Sequence, residues 1–299
     1  MRVPQLGLVS DLSTPLEPAA QRDRGGVAAA APGTQQSVQA SAFRRIEAAV
    51  ASSRGSQHEH NEDAHSALDH TATLFVVADG VGGGAMAQLA SRQLVEHLHV
   101  ALAGVTLDAE LVPRVMLGAD RAIAERIAQS TAAPGAATVA LCAPLNLWAS
   151  RWLLAWVGDC RVYRFATAGA GDAELLTRDD TFRQLGEPAP AGGSPDDPAR
   201  MVGNGATSGA NIAILDLACG DLLALCTDGV HKHVDGSNWR RALAQPAPLA
   251  RRCTDLIGMA RQNGSTDDAT VMLVRRGRMG LPIVRWIGRA RGAAAGAGR

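Results

Sequence analysis

The sequence predicts an α+β fold in which strands form the core and helices pack outside them. Short apolar runs separated by turn residues follow one another through the middle of the chain, and such runs are typical of buried strands. Apolar residues at helical spacing occur in the first half and again near the end. Because helices and strands are grouped rather than regularly alternating, the pattern favours packed sheets over a parallel βαβ fold.

Seven apolar runs predict buried strands, and two periodic segments predict helices at 85–103 and 111–128, with a third helix covering 238–261. The predicted strands are Leu74–Ala78, Ala137–Ala143, Trp152–Val157, Val162–Phe165, Ile212–Leu217, Leu222–Cys226 and Thr270–Val274. The stretch Gly186–Gly209 is rich in Pro, Gly and Asp, which predicts a long mobile loop.

The chain divides into three segments. Residues 1–40 are rich in Ala, Gln, Pro, Ser and Gly without periodicity, which predicts a disordered leader. Residues 41–280 hold all the predicted elements and form one domain. Residues 281–299 form an Arg/Gly/Ala-rich tail after a short apolar patch. We expect a frayed terminus there, with contact to an anionic surface or a partner as the alternative.

Composition excludes several classes of protein. The 299 residues carry 29 basic and 29 acidic side chains, and the pI is about 7.1, which argues against a nucleic-acid binder or a polybasic membrane-surface protein. No apolar run approaches the ~20 residues of a membrane span. Five cysteines without a C-x-x-C pair indicate a reducing compartment. We therefore expect a cytoplasmic protein, and we expect it to be a monomer.

The net charge is zero, but both the basic and the acidic residues are dominated by one residue type. Lys232 is the sole lysine beside 28 arginines, and we attribute that skew to nucleotide composition. Aspartates outnumber glutamates by 20 to 9, and many of them stand beside predicted strands. These strand-end positions are Asp63, Asp79, Asp159, Asp228 and the pair Asp267-Asp268.

The aspartates at strand ends predict a metal site. An Asp-Gly pair is also a hairpin-turn signal, but the glycine-rich run after Asp79 leads into a helix instead of a second strand. Several carboxylates at neighbouring strand ends repel one another unless cations lie between them. Oxygen ligands of this kind suit Mg²⁺ or Mn²⁺ rather than Zn²⁺. The sequence thus predicts a carboxylate-bound site for two divalent ions.

The motifs in order resemble the metal-dependent protein phosphatase 2C family over about residues 41–276. They are Asn61-Glu62-Asp63, Asp79-Gly80-Val81-Gly82-Gly83, Gly158-Asp159-Cys160-Arg161, Cys226-Thr227-Asp228-Gly229 and Gly264-Ser265-Thr266-Asp267-Asp268. The resemblance implies a four-layer αββα sandwich, with two central antiparallel β-sheets flanked by helices. It also implies two Mn²⁺ or Mg²⁺ ions at one end of the sandwich, and many members bind a weaker third ion.

Carried over position by position, the resemblance assigns a role to each residue of the site. Asp63 and Asp79 would bind metal, together with the carbonyl of Gly80. Asp228 and Asp267 would hold the second ion. The remaining two positions are Asp159, which helps to bind the third metal in many members, and Glu62, which would hold a metal-bound water.

The implied activity is that of a bacterial-type protein serine/threonine phosphatase. Two ions about 3.5–4 Å apart can hold a bridging water and lower its pKa, so the reaction needs no protein nucleophile. None of the five cysteines is followed by Arg six positions later, which disfavours a cysteine-based phosphatase. The expected partners are a phosphoprotein substrate and a cognate Ser/Thr kinase, with a link to type VI secretion loci.

The chain departs from the family pattern at four positions, one of which is Gly84, where bacterial members commonly have His. Many members carry a phosphate-clamping Arg where this chain has His58, so we expect either a weaker phosphate contact from His58 or an ordinary surface histidine with Arg54 or another Arg taking over. Val81 stands where eukaryotic members have a His thought to protonate the leaving group, so no general acid can be named. Cys160 replaces the usual Ser, which we interpret as a small-residue swap.

Two other functions are weighed against the phosphatase. A weakly active or inactive relative acting as a phosphoprotein-binding module is favoured by His58 alone. A nucleotide-binding enzyme lacks support because the chain has no G-x-x-x-x-G-K-[ST] motif and no G-x-G-x-x-G motif after a strand.

Overall fold

A computed structural model describes residues 33–40, 43–68, 73–102, 104–130, 133–167, 173–205, 207 and 209–277. Within these ranges the strands are β1 (Gly33–Ala40), β2 (Arg45–Ser53), β3 (Ala64–His65), β4 (Phe75–Val81), β5 (Ala136–Pro144), β6 (Arg151–Val157), β7 (Arg161–Phe165), β8 (Glu174–Leu175), β9 (Asn211–Asp216), β10 (Leu222–Cys226) and β11 (Ala269–Gly277). The helices are α1 (Ala85–Leu102), α2 (Leu111–Ser130), α3 (Phe182–Leu185), α4 (Asp228–His231), α5 (Gly236–Ala244) and α6 (Leu249–Gln262).

The strands form two antiparallel sheets. The first has the order β1-β2-β11-β10-β7-β8, and the second has the order β3-β4-β5-β6-β9. Three apolar clusters separate four layers: one lies between α1–α2 and the second sheet, one between the two sheets, and one between the first sheet and α5–α6. The predicted α+β class and the implied αββα sandwich are confirmed.

Strand β5 shows how the sequence builds two of these layers at once. Val139 and Leu141 belong to the cluster under the helices, whereas Ala140 and Cys142 belong to the cluster between the sheets. Alternate side chains of a strand point to opposite faces, so a continuous apolar run is buried on both sides. Such runs are what made seven of the strands predictable from sequence.

The predicted third helix is wrong in one respect. The segment 238–261 contains two helices, α5 and α6, which are separated by Gln245-Pro246-Ala247-Pro248. A proline lacks the backbone N–H and disfavours helical geometry in the residue before it, so the pair of prolines ends one helix before the next begins. Helix α6 starts directly after Pro248.

Four strands lie where none was predicted: the two-residue strands β3 and β8, and the longer strands β1 and β2. Strand β2 lies between β1 and β11, yet its alanines give it the composition of a helix. Strand β1 pairs with β2 from Gly33 opposite Ser52 to Ala40 opposite Arg45, so the predicted disordered leader is wrong for residues 33–40. This edge strand is held by backbone pairing more than by side-chain burial, which is why composition missed it. Residues 1–32 and the tail 281–299 lie outside the described residues.

The long loop predicted at 186–209 is irregular but fixed to the fold near its end. Val202 is buried and pairs with Ala137 at the start of β5. The buried Asp120 of α2 accepts hydrogen bonds from the backbone N–H groups of Gly203 (2.6 Å) and Gly205 (3.1 Å). Across the described ranges, no helix has the length and apolar character needed to cross a membrane.

We predict that Asp120→Ala lowers the free energy of unfolding by about 2 to 4 kcal/mol, because it leaves two backbone donors without an acceptor. Urea unfolding at neutral pH measures the change. Glu125→Ala, on the exposed face of the same helix, is the matched control and should stay within about 0.5 kcal/mol of the wild type. Equal effects of the two substitutions would contradict the anchoring role of Asp120.

Candidate metal centre

The predicted acidic residues lie at one end of the sandwich. Asp79 lies opposite Thr138 near the end of β4, and Asp228 comes two residues after the end of β10. The start of β11 is brought to the same end, because Cys226 pairs with Val271 there. Asp267 comes two residues before β11. Antiparallel pairing thus gathers residues that are far apart in sequence.

Asp228 lies at the centre of this group. The pKa of Asp63, Asp79, Asp159 and Asp267 is raised in every case, first by burial and then in part by the negative charge of Asp228. For Asp159 burial and this charge raise the pKa to about 7. Four carboxylates thus lie within electrostatic reach of Asp228.

Asp228 itself is stabilised in its charged form. Burial acts to raise its pKa, but the charge of Lys232 and a hydrogen bond from the Lys232 ammonium outweigh that effect and lower it. The Lys232 Nζ lies 2.7 Å from Asp228 Oδ2 and 4.0 Å from Asp159 Oδ2. A lysine side chain therefore already supplies one positive charge to the acidic group.

Asp63 has one oxygen held and one oxygen without a partner. The Thr227 hydroxyl donates a 2.9 Å hydrogen bond to Asp63 Oδ2, and the backbone N–H of Thr270 donates to Thr227 Oγ1 at 3.0 Å. Asp63 Oδ1 is buried and has no hydrogen-bond partner among the residues that the structure describes. A buried carboxylate oxygen is costly when unpaired, so this atom is suited to a cation.

Two glycines of the motifs are required by close backbone approaches. A Cβ at Gly80 would collide with the backbone carbonyls of Ala87 and Glu62. A Cβ at Gly229 would collide with the carbonyl of Asp268. These glycines let the chain after Asp79 and Asp228 approach neighbouring backbone closely.

Asp268 connects three parts of the site, although the sequence assigned it no separate role. It is buried, and it accepts hydrogen bonds from the backbone N–H groups of Gly55 (2.7 Å) and Glu62 (2.6 Å). Its Oδ2 also lies 3.0 Å from His58 Nδ1. Asp268 thereby fixes the segment that carries the first metal-ligand motif against the start of β11.

Glu62 is held in a single orientation. Its carboxylate accepts a 2.5 Å hydrogen bond from the backbone N–H of Gly84, and its own carbonyl accepts one from the Ser91 hydroxyl of α1 at 2.5 Å. Burial raises the pKa of Glu62. The side chain is therefore positioned at the edge of the acidic group and is fixed by the glycine-rich turn.

His58 faces the acidic side chains that begin β11. Its Nδ1 lies 3.0 Å from Asp268 and 3.6 Å from Asp267 Oδ1, and its carbonyl accepts a 2.6 Å hydrogen bond from Arg54 Nη1. Burial lowers the pKa of His58, but the hydrogen bond to Asp268 and the charges of Glu62, Asp268 and Asp267 raise it above 6.5 overall. His58 is therefore part of the acidic site, and its contact with a phosphate stays a prediction.

Other motif residues have structural roles. Arg161 forms a two-point ion pair with Asp179, with Nη2 2.7 Å from Oδ2 and Nε 3.0 Å from Oδ1. The Cys160 thiol is buried against Thr138 Oγ1 at 3.2 Å, and burial raises its pKa. A thiol with a raised pKa is a poor nucleophile, which agrees with the interpretation of Cys160 as a small-residue swap.

The site contains oxygen atoms of the kind that bind divalent ions, but they are not arranged around a single ion position. In the ranges that the structure covers, no three His, Cys, Asp or Glu side chains are already arranged around one metal position. Asp228 is instead occupied by Lys232, and Asp63 keeps an unpaired oxygen. Carboxylate and carbonyl oxygens are the ligands that Mg²⁺ and Mn²⁺ prefer, so the residues fit these ions after local side-chain movement.

Sequence reasoning missed three contributors to the site. Thr227 was quoted within a motif but was not recognised as the partner of Asp63. Of the Asp267-Asp268 pair, only Asp267 was assigned a role, although two adjacent carboxylates just before a buried strand are unusual and both need a partner. Lys232 was noticed as the sole lysine, and its position one helical turn after Asp228 was the signal that could have found it.

We predict that His58 in the metal-free protein titrates above 6.5, and that Asp268→Asn lowers its pKa because it removes the charged partner of the imidazole. NMR titration of the histidine side chains checks this. Because the folded-state pKa is raised, the stability from this pair is complete below 6.5 and is lost as the pH rises through the pKa of His58. An unchanged His58 pKa in Asp268→Asn would refute the pairing.

Comparisons with known proteins agree with this geometry. Residues 51–271 match the family model described as protein phosphatase 2C. The serine/threonine protein phosphatase PstP of Mycobacterium tuberculosis is 30% identical over 236 residues, which are 75% of this chain and 44% of PstP. The chain thus spans less than half the length of the curated relatives it matches.

Solved structures share the fold. The catalytic domain of PstP in complex with two manganese ions superposes with a TM-score of 0.65 at 24% identity, covering 78% of this chain and 99% of that one. PppA, described as a key regulatory component of T6SS in Pseudomonas aeruginosa, has a TM-score of 0.65 at 27% identity, covering 77% and 97%. With a family match over most of its length and the motifs gathered at one end of the sandwich, this chain belongs to the protein phosphatase 2C family.

Proposed function

We propose that this protein is a metal-dependent phosphatase that hydrolyses phosphoserine and phosphothreonine in proteins. The observation that carries the proposal is the gathering of four carboxylates around Asp228, with Asp63 Oδ1 buried and unpaired. The chain belongs to the protein phosphatase 2C family, and we infer from this that the acidic group binds divalent metal ions. Removing a phosphate from Ser or Thr restores a neutral hydroxyl and reverses the effect of a kinase.

The proposed metal ligands are the carboxylates of Asp63, Asp79, Asp228 and Asp267 and the carbonyl of Gly80. Two divalent ions bound there would supply a hydroxide nucleophile near neutral pH and stabilise the phosphoryl oxygens. The complex of the related PstP catalytic domain with two manganese ions supports Mn²⁺ as one of the ions. Mg²⁺ is the alternative with the same ligand preference.

The residues of the chain provide orientation and electrostatics. Thr227 fixes one oxygen of Asp63, so the unpaired oxygen keeps a constant direction. Glu62 is fixed by the Gly84 N–H, and we propose that it orients a water at the acidic group. Such fixed polar groups act on a reaction without having to reorganise during it.

His58 is the proposed phosphate contact. Its pairing with Asp268 engages Nδ1, which leaves Nε2 as the single nitrogen able to face a substrate. In the metal-free protein the neighbouring carboxylates raise the pKa of His58, and an imidazolium attracts a phosphate dianion. A histidine nonetheless offers one donor where an arginine offers a fork, so the contact is weaker.

We predict that His58→Ala raises KM severalfold with little change in kcat, and that His58→Arg lowers KM below the wild-type value. The KM of the wild type should fall as the pH decreases through the pKa of His58, and that dependence should vanish in both variants. Steady-state kinetics on a phosphopeptide between pH 5.5 and 8.5 provide the test. If KM is the same in all three proteins, another group, such as Arg54, holds the phosphate.

The expected partners follow from the proposed reaction. The substrate is a phosphoprotein, and a separate Ser/Thr kinase would produce it. The fold shared with PppA supports a role linked to type VI secretion, since PppA is described as a regulatory component of that system. We propose that the protein is monomeric and acts in the bacterial cytoplasm.

A phosphoprotein-binding module with weak or no activity is the second candidate. The observation that favours it is His58 at a position where an arginine clamp is common. Against it stands the complete set of proposed aspartate ligands, because unneeded buried carboxylates would destabilise the fold at no benefit. The two candidates differ in whether metal-stimulated phosphate release occurs.

We predict Mn²⁺-stimulated phosphate release from phosphoserine and phosphothreonine peptides, with a loss of about 100-fold or more in Asp63→Asn and Asp228→Asn. Measurement of released phosphate with and without Mn²⁺ is the assay. Asp216→Asn is the matched control, because Asp216 is exposed and pairs with Arg151 at the other end of β6 from the acidic site. Absence of metal-stimulated release from every peptide would favour the binding module.

A further inference from the structure

The sole lysine of the chain has its ammonium within the acidic site. Lys232 follows Asp228 by four residues, and its Nζ lies 2.7 Å from Asp228 Oδ2 and 4.0 Å from Asp159 Oδ2. Its side chain is 46% exposed, whereas the Asp159 side chain is 5% exposed. The ammonium therefore reaches from the rim to the place between two acidic side chains.

Asp159 depends on this lysine for charge compensation. Burial is the main cause of the raised pKa of Asp159, and the negative charges of Asp228 and Asp179 add to it, whereas the charge of Lys232 lowers it. The Lys232 ammonium lies 4.0 Å from Asp159 Oδ2. Without the ammonium, Asp159 and Asp228 would face each other as a pair of uncompensated anions.

We propose that the Lys232 ammonium takes the place of the weaker third ion at Asp159, so that this chain works with two divalent ions and one built-in cation. The inference rests on the proposed function, because it assumes that two divalent ions bind to the proposed ligands Asp63, Asp79, Asp228 and Asp267. Lys232 is thus a positioning residue. Its ammonium holds Asp159 and Asp228 in place and, unlike a bound metal ion, it cannot dissociate from the protein.

The charges of the site agree with this assignment. Five aspartate carboxylates carry five negative charges when ionised, and two divalent ions supply four positive ones. Within this set of five aspartates, counted without Glu62 and the Asp268–His58 pair, the single charge that remains equals the charge of one ammonium group. A third divalent ion in addition to Lys232 would leave the group positive and would have to approach the ammonium, which disfavours its binding.

The type of residue also fits the role. An ammonium is a compact point charge with three donors on a flexible stem, whereas a guanidinium is a planar fork. The Lys232 ammonium is such a point charge, and it lies 2.7 Å from one carboxylate and 4.0 Å from another. An exposed helical Asp–Lys pair four residues apart contributes only about 0.3–0.5 kcal/mol, whereas here the second carboxylate is buried.

Counting bound Mn²⁺ tests the proposal. Isothermal titration calorimetry on the metal-free protein, with free Mn²⁺ counted by EPR, should find two ions in the wild type. Lys232→Met should bind a third, weaker ion, and the added Asp159→Asn substitution in that variant should return the count to two. Lys232→Arg is the conservative variant and should keep two ions, because it retains the positive charge.

Asp159→Asn in the otherwise unchanged protein should also leave the count at two. Three ions in the wild type, with the third lost in Asp159→Asn, would overturn the proposal. So would a count of two in Lys232→Met, provided that its circular dichroism and thermal unfolding show a folded protein. Absence of Mn²⁺ binding in every protein would overturn the proposed function itself, so the two failures are distinguishable.

Discussion

The repulsion among carboxylates around Asp228 is the constraint on which the rest of the site depends. Four other aspartates respond to the charge of Asp228, and burial makes each of them harder to ionise. Such a group is stable only with positive charge and hydrogen-bond donors arranged around it. Lys232, the Thr227 hydroxyl and the backbone donors on Asp268 supply that compensation from three different segments.

The sandwich brings these segments together through strand register. Strand β11 pairs with β2 and β10 on its two sides, so its first residues lie beside Ser53 and close to the end of β10. Strand β4 of the other sheet ends at the same edge, and Gly80 and Gly229 let backbone approach where a side chain would collide. Of the acidic side chains, Asp79 lies in a strand, whereas Asp63, Asp159, Asp228 and Asp267 lie just outside strand ends.

Seven of the strands were predictable from sequence because they are continuous apolar runs. Runs such as Ala137–Ala143 are apolar on both faces, which only a strand buried between two layers requires. The alanines of β2 carry no such signal, because alanine favours helices and its burial here comes from tertiary packing. The roles of Asp268 and Lys232 were missed for a related reason. They are contacts across a long sequence distance or around one helical turn, and no motif alone reveals a contact.

The aspartates of the site differ in whether a basic side chain lies beside them. On one flank Lys232 lies between Asp228 and Asp159, and on the other flank His58 lies between Asp267 and Asp268. Both flanks are thus partly neutralised by side chains of the protein. Asp63 lies between them with a buried oxygen that has no partner among the described residues. The proposed divalent ions would therefore gain most from the carboxylate of Asp63, whose unpaired oxygen has no hydrogen-bond donor beside it among the described residues.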